Sequence, residues 1–374
     1  MLPSESSQRS KPEYMASPPS AHFPLEIFSV IISFTSGPGT LCSLARCCRA
    51  FTRSAEFYLY DTLKFAPGLK AIQLARALVR SSRRSSYVRD ASVELIENAI
   101  QPILLPAGIK LIIRAIVGCP NLGSLSLSWG SWRVNWPARL LWPNTFQLHR
   151  FVSWFQWDQT ICDFLKTQSS LNVLVTVRPV QLRGVAPEPE PHLADYALPF
   201  LSSFTGRLAQ AVSVLPGRPV TSLALNGSVS LSEFESALPV LAQTSAQIES
   251  LALQTGELSS RLFTLLGAHI PTLTRLELRI VRPAMVAYSN LTSESVCQAM
   301  SLLPGMRHFG LRLRCPQLFG ALWFHTQRDV VLDWKEHCPN LCEVTFESSS
   351  DDKVMEWAFD EEAMDWGCSL DEDN

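Results

Sequence analysis

Long apolar runs, metal-spaced cysteines and catalytic signatures are all missing from this chain of 374 residues. The best apolar run, Gly108 to Gly118, is broken by Lys110 and Arg114, far short of the ~20 residues a membrane-crossing helix needs. Residues 1–20 are polar and rich in Pro and Ser; without the apolar core of a secretory signal they read as a disordered lead. The expectation is an intracellular protein, cytoplasmic or nuclear, with no membrane association. Charged residues make up 18% of the chain, below the ~25% of ordinary globular proteins. No dense Lys/Arg stripe interleaves with stacking aromatics, so no nucleic-acid partner is expected. There are ten cysteines but no C-x-x-C pair, and a chain of this size does not need disulfide staples. His337, Cys338 and Cys342 form the best metal cluster and lack a fourth ligand, so core packing is expected and no metal. There is no G-x-S-x-G elbow, Walker loop or G-x-G-x-x-G, and Gly37-Pro38-Gly39 is too short to cradle phosphate. No catalytic residue and no cofactor are expected.

What is present is unevenly arranged. The net charge of −2 conceals an acidic block: residues 347–374 hold eleven Asp/Glu and only Lys353, while the rest of the chain carries a surplus of eight positive charges. Order is predicted from His22 onward. Pro24 suits a first helical turn, where its missing N–H has no partner to lose, and Glu26 complements the helix dipole there. Gly37-Pro38-Gly39 is read as the stop of this helix. A second helix is predicted from Thr40 through Leu41, Leu44, Cys47 and Cys48, and a third through Phe51, Ala55, Leu59 and Tyr60. Three short helices with apolar residues on more than one face bury poorly alone and want a partner.

The stretch Phe23 to Tyr60 resembles an F-box of the kind found in large fungal families. The likeness lies in Phe23-Pro24-Leu25-Glu26-Ile27, in Thr40-Leu41-Cys42-Ser43-Leu44-Ala45-Arg46-Cys47-Cys48-Arg49-Ala50-Phe51, then in Ala55 and Leu59-Tyr60. Phe23 stands where the family usually has Leu, and Phe51 where it often has Trp. The resemblance implies that residues 21–65 dock onto the Skp adaptor of a cullin–RING ubiquitin ligase. Phe23, Pro24, Leu25, Ile27, Ile31, Leu44, Cys48 and Phe51 are then the adaptor-binding residues, some of them holding the three helices together instead. An ordinary helical subdomain capping a solenoid is the alternative.

Residues 66–346 show a helix-then-strand rhythm. Cys119-Pro120-Asn121-Leu122 recurs as Cys338-Pro339-Asn340-Leu341, each copy leading into alternating apolar residues. An apolar-x-x-apolar-x-apolar frame starts at Leu122, Val220, Ile248, Leu273, Met306 and Leu341, and more weakly at Val88, Leu148 and Leu171. The 49-residue gap between Leu171 and Val220 reads as one repeat plus an insertion around Ala186 to Pro191. Helices are predicted over Leu231 to Leu241, Glu257 to His269 and Glu294 to Leu303; Arg80 to Arg84 reads as a solvated loop. One strand and one helix per unit is the leucine-rich-repeat plan, in which stacked neighbours bury the face no unit can bury alone. The Asn or Cys of the consensus is replaced by Gly130, Gly256 and Ser349, so irregular repeats are expected. An α/β chain with a helical module before an irregular repeat solenoid is the predicted architecture; an open sheet of another topology is the alternative.

Side chains alternate along a strand, so residues flanking the inner apolar pair face outward. Val152 and Trp154, with Arg150, fall on that face in one repeat, and Val173 and Val175 in the next, an apolar patch for an unknown target protein unless the insertion around Glu188 to Pro199 covers it. Later repeats place Arg275, Glu277, Arg279, His308 and Arg312 there; Arg275, Arg279 and Arg312 are candidates for target contact, and the acidic tail, residues 347–374, is expected to lie against these late repeats. The expected role is substrate recognition within the ligase, with a scaffold lacking a degradation target as the alternative.

Overall fold

A computed structural model describes residues 25–35, 37–95, 106–129, 141, 145–155, 157–177, 191, 193–194, 196–256, 258–281, 291, 293–313, 321–348, 354–360 and 365–371. Phe23 and Pro24 lie outside them. The chain divides into two compact units, Met1–Tyr60 and Asp61–Asn374.

The first unit holds α1 (Leu25–Ser33), α2 (Pro38–Cys47) and α3 (Arg49–Asp61), whose last residue belongs to the second unit. Gly37 is extended at the N-cap of α2 and Pro38 occupies its first turn. The Gly-Pro-Gly predicted to stop one helix therefore starts the next, because the fixed φ of proline fits a helical N-terminus. Ile32, Leu41 and Ala55 form the internal core, with Leu44, Ala45, Phe51 and Leu59 packed against it. The Thr52 hydroxyl donates to Ala45 O at 2.7 Å, tying α3 to α2.

The second unit is a sheet of thirteen strands in sequence order. β1 is Thr62–Phe65, β2 Asp90–Leu95, β3 Ser124–Trp129, β4 Arg150–Ser153, β5 Val173–Thr176 and β6 Ser203–Gly206. Then follow β7 (Ser222–Val229), β8 (Ser250–Thr255), β9 (Arg275–Ile280), β10 (His308–Leu313), β11 (Glu343–Ser348), β12 (Val354–Asp360) and β13 (Asp365–Asp371). β1 to β11 are parallel, which crossover connections of helix length allow. The connecting helices are α4 (Leu69–Val79), α5 (Ser82–Tyr87), α6 (Pro106–Val117), α7 (Gln159–Lys166), α8 (Leu208–Val214), α9 (Leu231–Leu241), α10 (Ser260–His269), α11 (Glu294–Met300) and α12 (Ala321–His337). This is a leucine-rich-repeat-like α/β solenoid.

The apolar frames sit on the helix-covered face: Leu125 and Leu127, Leu251 and Leu253, Leu276 and Leu278, Val344 and Phe346 are all buried. Repeats are also stitched where each strand begins. One carbonyl accepts two successive amides of the next repeat: Arg89 O from Gly123 and Ser124, Thr221 O from Glu249 and Ser250, Arg307 O from Cys342 and Glu343. The recurring Cys-Pro-Asn-Leu serves this joint. Its Cys and Leu are buried in both copies, while Asn121 Nδ2 donates to Ser86 O at 2.6 Å and Asn340 Nδ2 to Pro304 O at 2.7 Å, each reaching the preceding repeat. Aromatic contacts continue the core across repeats, from Phe263 to Phe309 to Trp334 to Phe346. Local signals fix helix starts: Ser230 and Glu233 make a reciprocal capping box on α9, and the Asp158 carboxylate accepts from Ile161 N at 3.0 Å on α7.

Four expectations are corrected. β1 lies within the 21–65 span assigned to the helical module, yet it pairs with β2 and opens the sheet. The 49-residue gap contains the whole extra strand β6, with Leu201 and Phe204 buried in frame and Gly206 in the third apolar place. Arg83 and Arg84 lie in the short helix α5, capped where the Ser81 hydroxyl accepts from Arg84 N, rather than in a loop. Finally, the sheet does not stop at 346: β12 pairs antiparallel with β11, and β13 with β12. Met355, Trp357 and Trp366 are buried, and Trp357 Nε1 donates to Gln327 Oε1 of α12 at 2.9 Å.

Candidate interaction surfaces

In the helical unit, α1 presents Ile27, Val30 and Ile31 to solvent, with relative exposures of 41, 56 and 46%, and Phe34, just past its end, is 84% exposed. Positions i, i+3 and i+4 share one helix face, so Ile27, Val30 and Ile31 form an apolar ridge along α1, with Phe34 exposed in the turn that follows. The predicted adaptor-binding residues separate accordingly. Ile27 and Ile31 are on the ridge, and Leu25 opens α1. Leu44 and Phe51 face inward and hold the three helices together. Cys48 is exposed just past α2.

On the helix-free face of the solenoid, strand register sets neighbours in rows. Val152 lies beside Val175, and Arg150 beside Val173. All three valines are half-buried, as is Trp154 just beyond β4. The apolar patch is two strands wide, bounded by Ser124 and Ser126 on β3 and by Ser203 and Thr205 on β6. In the described part of the insertion, Pro191 O accepts from Trp157 Nε1 at 3.3 Å, and the buried Arg218 donates to the Ala194 and Ala197 carbonyls at 2.7 and 2.8 Å.

The larger feature of this face is a groove of about 470 Å³ over β7 to β12. Ala224, Ala252 and Gly310 give it a low floor, and its walls carry Arg275, Glu277, Arg279, His308, Arg312, Glu343, Glu347 and Glu356. One row aligns Arg275, His308 and Glu343; the next aligns Glu277, Gly310, Thr345 and Glu356; the third aligns Gln254, Arg279, Arg312 and Glu347. Most charges are matched within the groove. Arg275 Nε is 3.1 Å from Glu277 Oε1, Arg312 pairs with Glu347, and His308 Nδ1 is 2.7 Å from Glu343 Oε1. The last contact is poorly aligned as a hydrogen bond, and burial holds the His308 imidazole below its ordinary pKa against the upward pull of Glu343. Arg279 and Glu356 are exposed and have no ion-pair partner among the described residues.

Of the three candidate arginines, then, two are engaged and one is available. The acidic tail was expected to lie against these basic positions. It does so at its start, where Glu347 pairs with Arg312 and β12 brings Glu356 to the groove wall; beyond that it extends the sheet and pairs with the helix layer through Asp365 and Arg328 at 3.1 Å and through Lys335 over the Phe359 ring. Sequence reading missed Glu343, Thr345 and Gln254 as groove residues; the outward positions beside Val344, Phe346 and Leu253 were the available signal. His337, Cys338 and Cys342 are each turned to different backbone carbonyls, of Asp333, Leu303 with Met306, and Arg307. Burial pushes the Cys338 thiol up to about 11. No helix among the described residues is long and apolar enough to cross a membrane.

No family model matches the chain, and no curated protein matches it. Among solved structures it is similar to the leucine-rich repeat-containing protein LegL7 from Legionella pneumophila, at 12% identity and a TM-score of 0.44, over 77% of this chain and 91% of that one.

Proposed function

We propose that the chain is a substrate-recognition subunit of a cullin–RING ubiquitin ligase, holding the Skp adaptor with its helical unit and a target protein with the solenoid's helix-free face. The observation that carries this reading is the bare ridge Ile27–Val30–Ile31 of α1, followed by the exposed Phe34, on a three-helix unit whose own core lies elsewhere. Large apolar side chains aligned on one face of a soluble unit mark a protein-binding surface. The F-box resemblance of residues 23–60 supplies the identity of the partner. Catalysis would be by proximity alone: the chain brings the target to a ubiquitin-loaded enzyme and makes no covalent bond itself.

The test is co-purification of the intact chain with a Skp-type adaptor, repeated with Ile27→Asp/Ile31→Asp. The pair change leaves Ile32, Leu41 and Ala55 untouched, so the helices remain folded while the ridge is broken. Capture by the parent chain and loss in the variant is the expected result. Absence of capture by the parent, or equal capture by both, rejects the reading.

A further inference from the structure

Resting on the reading of the helix-free face as the target-binding surface, the groove specifies what kind of segment it takes. We infer that it binds an extended stretch of a partner protein carrying one carboxylate side chain for Arg279 and, about five residues away, one Lys or Arg for Glu356. The inference starts from which charges are left over. Arg275 is paired with Glu277, Arg312 with Glu347, and Glu343 lies against His308. Arg279 and Glu356 line the same groove, are both exposed, and have no ion-pair partner among the described residues.

The surroundings of Arg279 favour an acceptor. Its register neighbours are Gln254 on β8 and Arg312 on β10, so an acceptor placed over it lies between a side-chain amide and a second guanidinium. A guanidinium fork matches a planar carboxylate in bidentate fashion. A phosphate is disfavoured, because Glu277, Glu343, Glu347 and Glu356 share the groove with only three arginines, and a dianion would feel their repulsion.

The spacing follows from sheet geometry. Glu356 aligns with Thr345, Gly310 and Glu277, so it is three strands from β9 and two residues down from Arg279. At ~4.8 Å between strands and ~3.3 Å per residue, the separation is about 16 Å, which an extended chain spans in about five residues. The floor between the two handles is Gly310 and Thr345, low enough for a backbone to pass. The two handles carry opposite signs, so they also set the direction in which the segment lies.

The experiment uses the full chain and fluorescein-labelled decapeptides of a Ser/Thr/Val background, read by anisotropy. The lead peptide carries Glu and Lys five positions apart. Companions carry Gln at either or both places, phosphoserine in place of Glu, or the same pair two positions apart. The lead peptide should bind at least roughly tenfold tighter than the double-Gln peptide, and Arg279→Gln and Glu356→Gln should each remove most of that preference. Arg279→Glu should reverse the choice at that position, preferring Lys over Glu. Equal binding of charged and Gln peptides, indifference to spacing, tighter binding of the phosphoserine peptide, or an unchanged preference in Arg279→Gln each overturns the inference. Adaptor capture depends on the helical unit alone, so a chain that captures the adaptor yet ignores spaced charges fails here only. A chain that binds the lead peptide but not the adaptor fails the ligase reading only.

Discussion

Arg218 is 2% exposed and its guanidinium is spread over four backbone carbonyls. Nε donates to Ala197 O at 2.8 Å, Nη2 to Ala194 O at 2.7 Å, and Nη1 to Pro216 O at 3.2 Å and to Val214 O. It thereby clasps the segment before β6, where the buried Leu198 sits at φ 57°, a left-handed conformation costing a side-chain-bearing residue about 1–2 kcal/mol. Replacing Arg218 by Met keeps most of the packing volume and removes every donor. Hydrogen bonds involving a charged group contribute about 1.5–3 kcal/mol each, while removing a buried guanidinium recovers several kcal/mol of desolvation. The net expectation is a loss of about 3 kcal/mol, concentrated in the strained segment, which is the part least able to hold itself. Hydrogen exchange followed by mass spectrometry is the assay. Residues 197–203 should exchange about 100-fold faster, by 1.4 kcal/mol per tenfold, since Ala197 N, Leu201 N and Ser202 N bond to Ala194 O, Leu198 O and Asn172 O there. Arg218→Lys, keeping the charge but not the fork, should fall between. Exchange in 197–203 unchanged by Arg218→Met refutes the clasp.

A Cβ added at Gly267 on α10 would lie 2.7 Å from Leu302 Cβ and 2.9 Å from Leu302 O, so Gly267→Ala should destabilise by about 2 kcal/mol in thermal unfolding. Gly39→Ala in α2, where no heavy atom lies within 4 Å, should not destabilise. Burial lowers the His308 pKa, with Arg275 adding to the fall and Glu343 and Glu277 opposing it. The unfolded chain then binds the proton more readily, so this contribution to stability is full above pH ~6.5 and is lost as pH falls through the folded value. The thermal midpoint should drop from pH 7 toward pH 5, and His308→Gln should flatten that part of the curve. Iodoacetamide at pH 8 should alkylate the exposed Cys42, Cys47 and Cys48 in the native chain. It should spare Cys338 and Cys119, whose thiol burial pushes up to about 12, until denaturant is added.

The parallel strands were legible because burying one sheet face writes a period of two into each repeat and a turn signature ahead of it. Where that writing is interrupted, the strand was missed. Gly206 supplies no apolar residue at its frame position because Thr176 Oγ1 and the Phe204 ring already occupy the space, 2.4 and 2.6 Å from where its Cβ would stand. In the tail, alternation was present in Met355 and Trp357 but hidden by the acidic residues of the block, of which Glu356 between them is exposed. α5 lacks an apolar period, so only the Ser81 cap announced it. The groove was half legible: outward Arg275, Arg279 and Arg312 followed from periodicity. Which of them remained available depended on pairing across strands, and register across strands is written in no single repeat.

The antiparallel hairpin also governs when the groove exists. Synthesis runs from the amino end, so the parallel strands emerge and stack in order, each leaving a raw edge that the next one covers. Until β12 follows, Val344 and Phe346 flank an unpaired edge, and the wall bearing Glu356 has not been made. A polypeptide interrupted between β11 and β12 would therefore present helices and repeats in good order together with an open edge and a binding face missing one of its two handles. Such a fragment should be recognised by its stickiness rather than by any loss of secondary structure.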